Sequence, residues 1–179
     1  LGGGGLSDRL GRRVRSDEGL TYAIGSSVEA PYARRGAMGV SFSCGANNAA
    51  YVVSLVREEI DRIRAEEVSD EELAIAKDAF LGTFPDAFST PYDVIANLSA
   101  LERAEVPLDF FSTVRDEIAA VTKADLLRVA QEYWRPEALL VVLAGDAEAM
   151  QAGNPEKPAS FGDAAKIHVI EPKDPMACE

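Results

Sequence analysis

"LTYAIGSSVEAPYARRGAMGVSFSCGA", residues 20–46, decides the fold. Its two ends alternate with the two-residue period of extended chain. In the first run Leu20, Tyr22 and Ile24 fall on one face, and Thr21, Ala23 and Gly25 on the other. In the second, Met38, Val40, Phe42 and Cys44 share a side. The "PYARRG" between them, residues 31–36, reads as a turn, so the two runs form an antiparallel hairpin. The second face of this hairpin is small and polar: Thr21, Ala23, Gly25 and Ser27 on one strand, Gly39, Ser41 and Ser43 on the other. Such a surface either faces water or lines a chamber and pairs with an extended guest chain.

Upstream, "LSDRLGRRVRSDEG" predicts a short helix with Ser7 as N-cap, Leu6, Leu10 and Val14 as its buried stripe, and Gly19 in the left-handed position that ends it. Downstream, a long helix is expected from Asn47 to Glu66, burying Val52, Val56, Ile60 and Ile63. Ser69 with Glu72 starts another through a capping box. Thr90–Pro91, Asp109 and Thr122 with Asp125 mark three further starts, and Pro136 closes the series. "ALLVVLAGD", residues 138–146, is apolar almost throughout and reads as a strand buried on both faces. Residues 147–165 read as a poorly constrained connection, and "KIHVIE" (166–171) as a last edge strand before a frayed end. The fold class is α+β: an α/β sandwich with helices packed on one face of a mostly antiparallel sheet.

The totals narrow the function classes. At 179 residues, 47% of them hydrophobic, the chain suits one domain with a real core. No apolar run reaches the roughly 18 residues of a membrane span. Thirty acidic against eighteen basic residues give a net charge of -12, which argues against nucleic acid or anionic membrane as partner. The acidity serves solubility, or it steers cationic peptides. Cys44 and Cys178 make no disulfide framework, and His168, the single histidine, has no second histidine with which to hold a metal. Because the chain opens on Leu-Gly-Gly-Gly-Gly without an initiator Met, a piece of a longer protein is expected. The compartment is left open, the periplasm being favoured over the cytoplasm.

"LGGGG" is not a phosphate loop, since no Lys-Ser or Lys-Thr follows it. "NLS" (97–99) sits in a helical segment and is a chance match to a glycosylation acceptor, and the runs "REE", "AEE" and "SDEE" read as solvated helix faces and ends. Arg15 and Tyr22 are left, six residues apart across a helix-to-strand junction. Either they are ordinary surface residues, or their two donors converge on one carbonyl: a phenol can stabilise a developing oxyanion, and a guanidinium can hold a peptide carbonyl or carboxylate.

The wider pattern bears on that choice. "LGGGGLSDRLGRRVRSDEGLTYAIGSS" resembles the "LGG…SRL…R…GLAY" segment in the C-terminal domain of the pitrilysin/insulysin family, the inverted zincins that include mitochondrial processing peptidase. "VSDEELAIAKDAFLGTFPDAF" is similar to that family's helix pair, and "EIAAVTKADLLRVAQEYWRPEALLVVLAGD" to its closing segment. The ordered set covers most of residues 1–146. The resemblance implies a C-terminal peptidase domain over 1–146, incomplete at its N-terminal end, followed by a connection, edge strand and flexible tail over 147–179. It further implies a chamber of two similar halves, one carrying zinc on His-x-x-Glu-His, the other giving an Arg and a Tyr to the substrate. Arg15 and Tyr22 match those two positions, "GLTY" standing for "GLAY".

On that resemblance Tyr22 and Arg15 are the catalytic candidates, and Arg15, Tyr22, Gly25 and Ser26 the substrate-binding set. The chain contains no His-x-x-Glu-His, so no metal ligand is assigned here and the zinc is expected in a partner domain. The expected partners are a peptide substrate, added as a strand to the Leu20–Ser27 hairpin or its neighbour, and a homologous zinc-bearing domain or subunit, in a homo- or heterodimer. The expected function is the substrate-binding half of a zinc metallopeptidase. A catalytically inactive structural or assembly subunit of the same fold, and a peptide-binding module without proteolysis, are the alternatives.

Overall fold

The computed structural model describes residues 1–3, 8–29, 36–161 and 166–170. A corner helix, Gly11–Asp17, leads into β1 (Ile24–Val28), which pairs antiparallel with β2 (Met38–Phe42) in the register Ile24 to Phe42 and Val28 to Met38. Six α-helices follow among the described residues: α1 (Ala49–Ala65), α2 (Asp70–Thr83), α3 (Pro91–Arg103), α4 (Phe110–Ala120), α5 (Lys123–Tyr133) and the short α6 (Ala147–Ala152). The α+β class and the antiparallel hairpin are thus as the sequence predicts, with a sheet of two strands among the described residues.

One core holds the hairpin to the helices. Leu10 and Val14 of the corner segment, Ile24 of β1, Val52, Leu55 and Ile60 of α1, and Trp134 after α5 form a buried cluster. Met38, Val40, Phe42 and Cys44 pack against it from the inner face of β2, as their alternation requires. A second group is aromatic. Phe84 and Phe88, in the turn between α2 and α3, meet Phe111 of α4, with the Phe88 and Phe111 rings edge-on at 4.9 Å. Edge-to-face contact suits the ring quadrupoles.

Local start signals hold. Ser69 with Glu72, Thr90 with Asp93 and Thr122 with Asp125 each form a reciprocal capping box at the start of α2, α3 and α5. Asp109 stands at the N-cap of α4, but its side chain makes no capping bond. Gly19 adopts φ +64, the left-handed conformation that lets the chain leave the corner helix. That helix winds in the wider π form over Gly11–Asp17 rather than as an α-helix. The expected cap Ser7 and stripe residue Leu6 lie outside the described residues, as does Cys178.

Four expectations fail outside the candidate site. Residues 138–146 are not a strand: Leu140 is 88% exposed and Val142 81%, because no described strand lies alongside to take their backbone hydrogen bonds. Residues 166–170 form no edge strand either, and Ile167, Val169 and Ile170 are exposed. The connection after α6 is not loose. Asn154 donates to the Asn48 side chain at 2.7 Å, Arg57 to the Phe161 carbonyl at 3.1 Å, and Lys157 pairs with Glu18 at 2.6 Å. Nor is "REE" wholly solvated: Glu59 is 2% exposed and accepts from Arg62 at 2.9 Å.

Candidate functional site

The corner between helix and hairpin carries the site. Gly19 turns the chain, and the Leu20 N–H donates to the Val14 carbonyl at 3.1 Å, closing the helix end. Thr21 then folds inward. Its buried hydroxyl donates to the Ser43 carbonyl at 2.5 Å, shared with the Ala23 carbonyl at 2.7 Å, and accepts from the Ala23 N–H at 3.1 Å. This reverses the predicted faces at the entry to β1. Tyr22 does not lie with buried Ile24: it is 82% exposed, because regular strand begins only at Ile24 and Thr21 has taken the inward place.

That reversal brings Tyr22 to Arg15. The guanidinium carbon stands 4.9 Å from the centre of the Tyr22 ring, within cation–π range. Among the described residues Arg15 has no ion-pair partner, so its charge is open to a ligand. Both side chains border an open hollow of about 440 Å³, floored by Ala23, Gly25, Ser41 and Ser43. These are the small side chains of the outer sheet face, and they leave the floor smooth. The candidate positions divide here. Gly25 lines the hollow. Ser26, one residue on and therefore on the opposite face, is bound to the glycine run: its hydroxyl lies 3.0 Å from the Gly2 N–H, from which it accepts, and 2.8 Å from the Gly2 carbonyl, to which it donates. The Ser26 N–H also donates to the Gly2 carbonyl at 2.6 Å. The outer edge of β1 is therefore used at this point, and the backbone approach leaves Gly2 no room: a Cβ there would stand 3.1 Å from the Ser26 nitrogen.

Comparison with known proteins gives a likeness over part of the chain. Residues 1–80 match the family model of the peptidase M16 inactive domain. This part of the chain is similar to that domain. An uncharacterised zinc protease of Streptomyces coelicolor is 28% identical over 133 residues, which is 73% of this chain and 28% of that protein. Another, of Mycobacterium leprae, is 31% identical over 80 residues, or 45% of this chain and 18% of that one. The crystal structure of a peptidase M16 inactive domain from Pseudomonas fluorescens superposes with a TM-score of 0.68 at 23% identity, covering 76% of this chain and 32% of that chain. The chain thus spans under a third of the length of each of these relatives.

The described residues do not fit a zinc ion. Among the described residues no three His, Cys, Asp or Glu side chains are grouped to hold a metal, and the lining of the hollow contains no His, Cys, Asp or Glu.

Sequence reasoning missed Glu18. This residue caps the corner helix between Arg15 and Tyr22, and its carboxylate accepts from Lys157 at 2.6 Å, Tyr51 at 3.1 Å and Arg13 at 3.2 Å. The Lys157 ammonium, followed by the Tyr51 hydroxyl bond, holds the Glu18 carboxyl below its usual range. Burial, aided by that carboxylate, pushes the Tyr51 phenol up. Only the "DEG" spacing before the strand hinted at a cap; the partners lie 33 and 139 positions away.

Proposed function

We propose that this domain is the substrate-binding half of a zinc metallopeptidase whose zinc is carried by another domain or subunit. The observation that carries the reading is the convergence of a guanidinium with no ion-pair partner among the described residues and an exposed phenol at one end of a smooth sheet face. A peptide in extended form lies over the small residues Gly25, Ser41 and Ser43 of the hollow. Arg15 holds a peptide carbonyl of this guest. The Tyr22 hydroxyl donates a hydrogen bond to the oxygen of the scissile carbonyl as it gains charge, an interaction stronger in the transition state than in the bound substrate. Water activation belongs to the zinc-bearing segment, and this domain contributes to bond cleavage through the Tyr22 hydrogen bond to the oxyanion. The edge of β2 away from β1 pairs with no other strand among the described residues and offers backbone groups to the guest. The net charge of -12 favours cationic peptides at the approach stage.

Reconstitution with the zinc-bearing half and a quenched fluorescent peptide tests the reading. Tyr22→Phe is expected to lower turnover by about 100-fold, the effect of removing one oxyanion donor. Arg15→Ala is expected chiefly to raise KM. Turnover and KM unchanged in both variants would remove this corner from the chemistry.

A further inference from the structure

The segment after α6 returns to the corner that bears Arg15 and Tyr22. Gly153, at φ +70, ends α6 and turns the chain back, and Asn154 fastens it to Asn48 at the start of α1. Lys157 then reaches Glu18, and Arg57 of α1 anchors the far end through the Phe161 carbonyl. Three tethers over eight residues make residues 154–161 a strap laid across α1 and the corner.

Glu18 is the point at which this strap can act. It follows Arg15 by three positions and precedes Tyr22 by four, at the end of the helix and directly before the left-handed Gly19. Its two oxygens divide their partners: Oε1 accepts from Tyr51 and Arg13, and Oε2 from Lys157. Tyr51 stands on α1, whose inner face is the core, while Lys157 belongs to the strap and lies 5.3 Å from the Tyr51 ring centre. The carboxylate is 17% exposed and the Lys157 side chain 30%, so this ion pair is sheltered enough to be directional rather than merely screened. Among the described residues Arg15 itself has no such anchor, and its position over the phenol depends on where the helix end is held.

We propose that Lys157 is a positioning residue for the substrate site: through Glu18 it sets the helix end so that the Arg15 guanidinium stacks on Tyr22 and both face the hollow. This deepens the substrate-binding reading above and rests on it. A displaced donor loses most of its value, since binding groups act only within narrow geometric limits. The strap therefore couples a segment outside the hairpin to the affinity of the hairpin for peptide.

The test uses this chain with Lys157→Met, Lys157→Arg, Glu18→Gln and the Glu18→Gln/Lys157→Met pair. Three quantities are read: the ring-current shift of the Arg15 side-chain methylenes by NMR, the affinity for a fluorescein-labelled unstructured basic peptide by anisotropy, and the melting temperature. Lys157→Met is expected to abolish most of the ring-current shift and to weaken the peptide roughly tenfold, while the chain stays folded. Lys157→Arg restores both readouts, and the double variant is no worse than Lys157→Met, because both changes cut one link. A melting temperature that falls while the shift and affinity stay as in the parent assigns Lys157 a structural role only and overturns the proposal, as does failure of arginine to rescue. If Arg15→Ala and Tyr22→Phe leave affinity unchanged, it is the substrate-binding reading that fails, and the ring-current shift still reports whether the strap holds the pair.

Discussion

Glu72 gives the sharpest test of how this fold is held. Its carboxylate closes the capping box of α2 with Ser69 and also takes both arms of a fork from Arg9, at 2.6 and 3.0 Å, tying α2 to the start of the corner helix. The Arg9 hydrogen bond, opposed by burial and aided by the Ser69 N–H, draws the carboxyl down from 4.5 to about 2. At 1.36 kcal/mol per pH unit that fall corresponds to about 3.4 kcal/mol. The Glu72 side chain is 36% exposed, however, so solvent screening reduces the expected contribution to about 1–2 kcal/mol. Because the folded-state pKa is lowered, this stability is present in full above the unfolded value of 4.5 and is lost as pH falls toward 2. Glu72→Gln keeps a side chain able to cap and removes only the charge. Urea unfolding of parent and variant at a series of pH values should show a gap of about 1–2 kcal/mol at pH 7 that closes progressively between pH 5 and 2. A gap independent of pH would refute the reasoning, since the loss would then come from packing rather than from the ionised fork.

Two further variants probe the corner. Gly2→Ala puts a Cβ 3.0 Å from Leu10 Cδ1 and 3.1 Å from the Ser26 nitrogen; because the second neighbour is backbone, about 1–3 kcal/mol of destabilisation is expected in urea unfolding, and a neutral result would mean that the glycine run is not clamped to β1. Thr21→Val keeps the shape but removes the hydroxyl that bridges Ala23 and Ser43, leaving a carbonyl without its donor; about 1–3 kcal/mol is expected, together with faster amide exchange at Ala23, and protected exchange there would contradict the bridge.

Several features of this protein are local and therefore readable residue by residue. The capping boxes of α2, α3 and α5 need only a hydroxyl and a carboxylate three positions apart, and all three form. Alternation alone placed Met38, Val40 and Phe42 on the core side, and spacing alone placed Val52, Val56 and Ile60 on the buried face of α1. The pairing of Arg15 with Tyr22 was legible as a possibility from their separation and from family likeness, but which way Tyr22 points was not. Strand periodicity put it beside buried Ile24; the Thr21 hydroxyl, satisfied by a carbonyl 22 positions away, turned it outward.

Tertiary structure decided the rest, because a backbone or a charge is satisfied only by what lies next to it in space. An apolar run such as 139–143 has the composition of a central strand, yet becomes one only where neighbours accept its hydrogen bonds, and among the described residues none does. Glu59 reads as surface and is buried, since the helix turns it inward beside Arg62. Lys157 and Glu18 meet across 139 positions, a contact that no window along the chain contains. The sequence by itself thus determined the hairpin, the main helices and the chemistry available to them; the folded chain alone settled which apolar runs become strands, which donors share a hollow and which distant residue holds them there.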